Sequence, residues 1–163
     1  MLNLKSMLKG WKKFVLLIVV LISFQSCHTY RNTAEKDSYE LMKQAYKLLG
    51  KKQYQKSIMV FTQLIEKNPS FVEAYAYRGM CKYFIKDYEG AMQDFNKALE
   101  MQPNFAEVYD MRGIVKGELG DSKGACEDWR RAFELGYKSA FMLIKEFCWD
   151  EEMERMKQDS QKK

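Results

Sequence analysis

The chain is expected to fold as an all-α solenoid of three helix-turn-helix repeats closed by a C-terminal capping helix. Three observations predict this. Residues recur at a spacing of 34. Within each recurrence the apolar positions follow the period of a helix, not that of a strand. The recurrence then stops at one last apolar-periodic stretch with no further unit behind it.

The recurring set is specific. Pro69 and Pro103 stand 34 apart, as do Tyr54 and Tyr88; Phe61, Phe95 and Trp129; Ala45, Gly79 and Gly113; and Ser57, Ala91 and Ala125. These divide the chain into units 38–71, 72–105 and 106–139. Each unit reads as two amphipathic helices with a turn near GKKQY, IKDYE or LGDSK. Asp37, with Glu40 three residues on, reads as the start of the first helix. Ala45, Gly79 and Gly113 are small, which lets the two helices of a unit approach, and Ser57, Ala91 and Ala125 are their small partners. Phe61, Phe95 and Trp129 fill the space between, and the prolines end the second helix. Each unit leaves an apolar face that only a neighbour can cover, so the units must stack.

The third unit departs at its end, with Tyr137 where proline is expected and Gly136 able to stop the helix. Beyond it Ala140, Leu143, Ile144, Phe147 and Cys148 recur at helical spacing. They predict a capping helix over 138–157, overlapping the end of the third repeat. Residues 158–163 are polar and expected to fray.

This pattern resembles the tetratricopeptide repeat across all three units, and VEAYAYRGMCKYFIKDYEGAMQDFNKALEMQPN lies close to the family consensus. The resemblance implies a concave face lined by the first helices, here Tyr39, Met42, Tyr46, Ala76, Met80, Tyr83, Asp110, Ile114 and Gly117. Family members that grip a C-terminal carboxylate use a lysine and asparagine pair at these places. Met42 with Tyr46, Ala76 with Met80 and Asp110 with Ile114 stand there instead, so a carboxylate clamp is not supported. The implied partner is a protein or peptide with apolar side chains, because a groove lined by methionine and aromatics adapts to such shapes. The alternative is that these side chains pack on neighbouring first helices and leave no site.

Comparing the repeats with one another pairs two further positions. Arg78 and Arg112 are equivalent in the first helices, and Asp94 and Asp128 in the second; the first unit has Gln44 and Val60 there. Both charges are lost together, which predicts Arg78–Asp94 and Arg112–Asp128 pairs linking the helices within each unit. Coincidence is the other reading of two instances.

Catalysis finds little support. The one histidine, His28, lies outside the repeats, so a histidine-dependent triad or multi-histidine metal site is not available. The glycines of GIVKGELGDSKG fail the phosphate-loop pattern and fall at repeat positions with packing or turn roles. No cofactor or metal is expected, and an enzyme or metal protein is the remote alternative. The net charge of +5 does not point to nucleic acid. Residues 1–26 carry Lys5, Lys9, Lys12 and Lys13 and no acid, so the remainder is nearly balanced and has no strong cationic field.

Phe14 to Phe24 form an uncharged run too short to cross a bilayer but suited to the core of a signal peptide. Phe24-Gln25-Ser26-Cys27 follows. A small residue before cysteine at the end of such a run resembles the lipobox of bacterial lipoproteins, with Phe24 where leucine is usual. The resemblance implies cleavage of residues 1–26 and lipidation of Cys27, with residues 27–37 as a short tether. His28 in place of aspartate favours the outer membrane, and the absence of an acidic cluster after Cys27 favours its periplasmic face. Rival readings are an uncleaved single span in the inner membrane and a soluble secreted product. The tether from 28 to 37 reaches about 33 Å at most when fully extended.

With Cys27 lipidated, Cys81, Cys126 and Cys148 remain. Cys126 and Cys148 fall on facing helices at the end of the solenoid. They are either a disulfide stapling the cap or two buried thiols in contact. Cys81 reads as a packing residue.

Overall fold

Every hairpin turn is built on one residue in the left-handed region. Lys52 (φ 57°), Lys86 (φ 64°) and Gly120 (φ 84°) are 34 apart and occupy the same turn in successive units. In each, the next amide reaches back to the last turn of the preceding helix: Gln53 to the Leu48 carbonyl, Asp87 to Lys82 and Asp121 to Lys116, all at 2.9 Å. This closes the helix end that would otherwise leave carbonyls unbonded. Asp87 and Asp121 then cap the second helix by accepting from the amides of Gly90 and Gly124. The first unit has Gln53 at this place and makes no side-chain cap.

The computed structural model of the chain describes residues 36–149, which are helical and contain no strand. α1 covers residues 36–50. It is followed by α2 (Tyr54–Lys67), α3 (Val72–Phe84), α4 (Tyr88–Met101), α5 (Ala106–Glu118), α6 (Ser122–Glu134) and α7 (Ala140–Phe147). The chain divides into two compact units, Met1–Glu40 and Leu41–Lys163. Of the first, residues 36–40 are described, and they are helical; all that follows concerns the second. The helix is already running at residue 36, so Asp37 is not its cap, and residues 36 and 37, expected to precede the fold, are helical. The signal peptide, Cys27 and residues 150–163 lie outside the described residues. No helix among the described residues is long and apolar enough to cross a membrane.

Three core layers follow one another, and each joins one hairpin to the helix after it. Met42, Ala45, Phe61 and Leu64 pack with Ala74 and Cys81 of α3. Ala91, Phe95 and Ala98 pack with Val108 and Val115 of α5. Ala125, Cys126, Trp129 and Ala132 pack with Ala140 and Cys148 at α7. No hairpin therefore completes its own core, which is the physical reason that repeats stack. Burying a ring such as Phe95 contributes about 1.5–3 kcal/mol. The close helix crossing within a hairpin needs glycine. A methyl group on Gly79 would stand 2.8 Å from the Phe95 ring, and one on Gly113 2.7 Å from Trp129 Nε1.

α7 ends at Phe147, and Cys148 leaves helical geometry (φ −112°, ψ 10°). The expected capping helix runs on to 157, and its residues 150–157 lie outside the described residues. Cys148 is bonded to Cys126, with Cα atoms 5.7 Å apart, which fastens the end of α7 to α6. Cys81 is a free, buried thiol.

Candidate functional site

Two features repeat along the first helices: a charged seam against the second helices, and a groove on the side away from them. The seam comes first because it fixes where the groove residues point.

Asp94 and Asp128 are buried, at 3% and 4% exposure. Arg78 grips Asp94 through both nitrogens of its fork, Nε to Oδ2 at 2.8 Å and Nη2 to Oδ1 at 2.6 Å. Arg112 grips Asp128 in the same way, at 2.8 and 2.7 Å. This two-point geometry is the strong form of an arginine–carboxylate pair. Its effect on Arg112 is to raise an already high pKa, the hydrogen bonds it donates to Asp128 being the main cause. Each aspartate also holds a lysine, Lys82 at 2.8 Å and Lys116 at 2.9 Å. Those lysines were not expected from the sequence, although Leu48 stands at the equivalent place in the unit that lacks the pair. The free guanidinium nitrogen reaches back one unit: Arg78 Nη1 donates to Thr62 Oγ1 at 3.1 Å, and Arg112 Nη1 to Asn96 Oδ1 at 2.7 Å. The arginines also lie over the Tyr75 and Tyr109 rings. In the first hairpin Gln44, Leu48 and Val60 replace the charges, and Ser57 Oγ instead donates to the Ala45 carbonyl at 2.9 Å. These charges are structural and carry no chemistry.

The expected groove residues divide by register. Met42, Ala76 and Asp110, mutually 34 apart, are all buried, at 9%, 7% and 7% exposure. The expectation that all three present a surface is corrected: this position faces inward in every unit. Met42 belongs to the first core layer and Ala76 to the second. Tyr39 is exposed but falls in the other unit of the chain. Tyr83 is half-buried against Tyr88 and Phe84.

Tyr46, Met80 and Ile114 form the register that stays open. Tyr46 is partly exposed and meets Tyr77 edge-on, with ring centroids 4.9 Å apart. Burial raises its hydroxyl pKa most, followed by the Tyr77 hydroxyl and then the charges of Glu73 and Glu107. Met80 lines a cavity of about 190 Å³ between α3 and α5, together with Ala76, Tyr77, Glu107, Met111 and Tyr137. Ile114 and Gly117 line a separate cavity of about 440 Å³ at the α5–α6–α7 end, with Trp129, Leu143 and Phe147. Among the described residues, Met80 and Ile114 thus border separate hollows.

Tyr137 and Met111 belong to the site although the sequence reading did not name them for it. Tyr137 carried a signal, since it breaks the proline pattern. Its hydroxyl pKa is raised by burial first and then by Asp110 and Glu107. Asp110 itself is pushed up by burial. Its Oδ1 has no hydrogen-bond partner among the described residues. Among those residues no cluster of metal-ligating side chains is formed. The lining is apolar and aromatic with carboxylates at one side, an arrangement suited to holding a chain segment.

Residues 72–105 match the family model of the tetratricopeptide repeat. No curated protein matches the sequence. Among solved structures, the tetratricopeptide-repeat domain of OM64 from Arabidopsis is 24% identical, with 69% of this chain and 94% of that one aligned at a TM-score of 0.66. The second such domain of human RPAP3, in complex with an HSP70 peptide of sequence SGPTIEEVD, is 20% identical, with 70% and 97% aligned at 0.65. PcrH in complex with the chaperone-binding region of PopD is 16% identical, with 72% and 95% aligned at 0.68. At these identities the likeness is one of fold. The described chain is an all-α solenoid of tetratricopeptide-like helical repeats, and its second unit carries the sequence pattern of the family.

Proposed function

We propose that the chain is a protein–protein interaction module of the bacterial cell envelope, tethered by lipid on Cys27 and facing the periplasm from the outer membrane. The observation that carries the binding role is the hollow between α3 and α5. Met80, Met111, Tyr77 and Tyr137 meet there around a space of about 190 Å³, on a scaffold whose own charges are paired elsewhere. Hollows of this kind hold the apolar side chains of a peptide or helix. Structures of the same fold contain an HSP70 peptide in human RPAP3 and a segment of PopD in PcrH, which supports a peptide segment as the class of partner. The tether rests on the apolar run and the Ser26-Cys27 junction that follows it. Multiple acyl chains hold a protein at a membrane far more firmly than one. The module therefore samples partners at the membrane surface.

Two measurements test this. Crosslinked membranes from cells making the full chain are compared with those making a Met80→Ala, Met111→Ala, Tyr137→Ala variant. Partners lost only from the variant support the groove, and an unchanged set rejects it. Mass spectrometry of the mature N-terminus reads the anchor. An acylated Cys27 is expected, whereas an unmodified Cys27 within an intact leader supports the single-span reading instead.

A further inference from the structure

The second unit has Ala76 beside the hollow, and the third has Asp110 at the equivalent position. That exchange puts a carboxylate where the repeat otherwise keeps a small apolar side chain. Asp110 is 7% exposed, and its Oδ1 is without a hydrogen-bond partner among the described residues. On α5 it lies between Glu107 and Met111, three residues from one and adjacent to the other, and both of these line the hollow. Glu107 and Asp110 both bear on the Tyr137 hydroxyl, and Glu73 and Glu107 on that of Tyr46. Negative charge therefore lies on α3 and α5, at Glu73, Glu107 and Asp110. Among the described residues no lysine or arginine lines the hollow to balance it.

A buried carboxylate without a counter-ion is costly. This chain knows how to avoid that cost, since Asp94 and Asp128 each hold an arginine and a lysine. In the hollow beside Asp110 the lining is apolar and aromatic apart from Glu107. Tyr77 and Tyr137 add ring faces, which attract cations in their own right. We propose that the groove takes a basic, apolar peptide segment, with a lysine or arginine side chain seated at Glu107, in the field of the buried Asp110, and its apolar neighbours against Met80, Met111 and Tyr137. This deepens the groove reading above and rests on it. Complementary charge of this kind sets partner choice and makes association salt-sensitive.

The test uses the full chain in detergent micelles and three synthetic peptides on one leucine- and serine-based scaffold, differing only in a central Lys-Lys, Gln-Gln or Glu-Glu pair. Fluorescence anisotropy is expected to give the Lys-Lys peptide at least about tenfold tighter binding than Glu-Glu, with the gap closing as salt rises. A Glu107→Gln, Asp110→Asn variant is expected to remove that preference, so that the Lys-Lys and Glu-Glu peptides bind it alike. Equal binding of all three, or a preference for Glu-Glu, overturns the charge proposal. If that binding is still lost in the Met80→Ala, Met111→Ala, Tyr137→Ala variant, the groove reading survives. A lysine preference undiminished in the carboxamide variant also overturns the proposal, because the cation then sits elsewhere. No binding by any peptide overturns both.

Discussion

The seam between paired helices and the floor of the groove each contain buried aspartate, and the chain treats them in opposite ways. Asp94 and Asp128 are enclosed by cations from their own unit, with every oxygen bonded. Asp110 is buried as well, but its Oδ1 has no hydrogen-bond partner among the described residues. The first unit supplies a third case at the seam position, with Gln44, Leu48 and Val60 and no charge at all. A buried charge is thus not required for this hairpin to close. Where it is present and paired it belongs to the architecture. Where it is present and unpaired it breaks a rule the rest of the molecule keeps, and such departures gather at functional positions.

The largest effect should come from breaking the seam on one side. Asp94→Ala strands Arg78 and Lys82 against the core, and the expected loss is about 3–5 kcal/mol in urea unfolding. Replacing all three charges by the residues of the first unit (Arg78→Gln, Lys82→Leu, Asp94→Val) should cost much less. If the triple variant is as unstable as the single one, the equivalence drawn between the units is wrong. Next in size is the closing helix, which has no charged seam and depends on Cys126–Cys148. Reducing a link with a sequence separation of 22 should cost about 3 kcal/mol by chain entropy. Hydrogen exchange should place the lost protection in α7, and a uniform loss would mean that the disulfide braces the whole solenoid.

Asp110 sharpens the comparison through pH. Its pKa in the fold is raised above 3.8 by burial, so the folded state binds its proton more readily than the unfolded one. Its ionisation therefore opposes folding at neutral pH, and the penalty disappears as pH falls through the raised value toward 3.8. Asp110→Asn should accordingly raise the melting temperature at pH 7, with the gain shrinking in the acid range. A gain independent of pH would show that the carboxylate is not strained by burial. The smallest effect belongs to the turns. Lys86 holds a backbone conformation that costs a side-chain-bearing residue about 1–2 kcal/mol, which Gly120 avoids at the equivalent turn. Lys86→Gly should stabilise by no more than about 1 kcal/mol, because glycine loses more freedom on folding. Thermal melts of matched variants resolve this, and a destabilised Lys86→Gly would mean that the lysine makes a contact worth more than the strain.

The 34-residue recurrence made the hairpins legible, down to the small residues at the helix crossings and the Arg–Asp positions. It was legible because each of those roles repeats with the same chemistry. Lys82 and Lys116 were equally periodic, but a lysine on a helix ordinarily reads as a solvated side chain, and only Leu48 in their place marked them as part of the seam. The groove was harder to read. Met42, Ala76 and Asp110 share the nominal face with Tyr46, Met80 and Ile114, and whether the next first helix covers a position depends on packing angle, which spacing does not encode. Tyr137 entered the site from a connection, where periodicity gives no guidance. Helical spacing also ran straight through Cys148, where the backbone leaves helical geometry.

The backward reach of Arg78 to Thr62, and of Arg112 to Asn96, gives the solenoid a direction. The second and third units each insert a finger into the unit before, and the first and second offer the acceptors. A chain emerging from its N-terminus first therefore always finds the socket built before the finger arrives. The order of the units is written into the side chains, from the N-terminal hairpin outward.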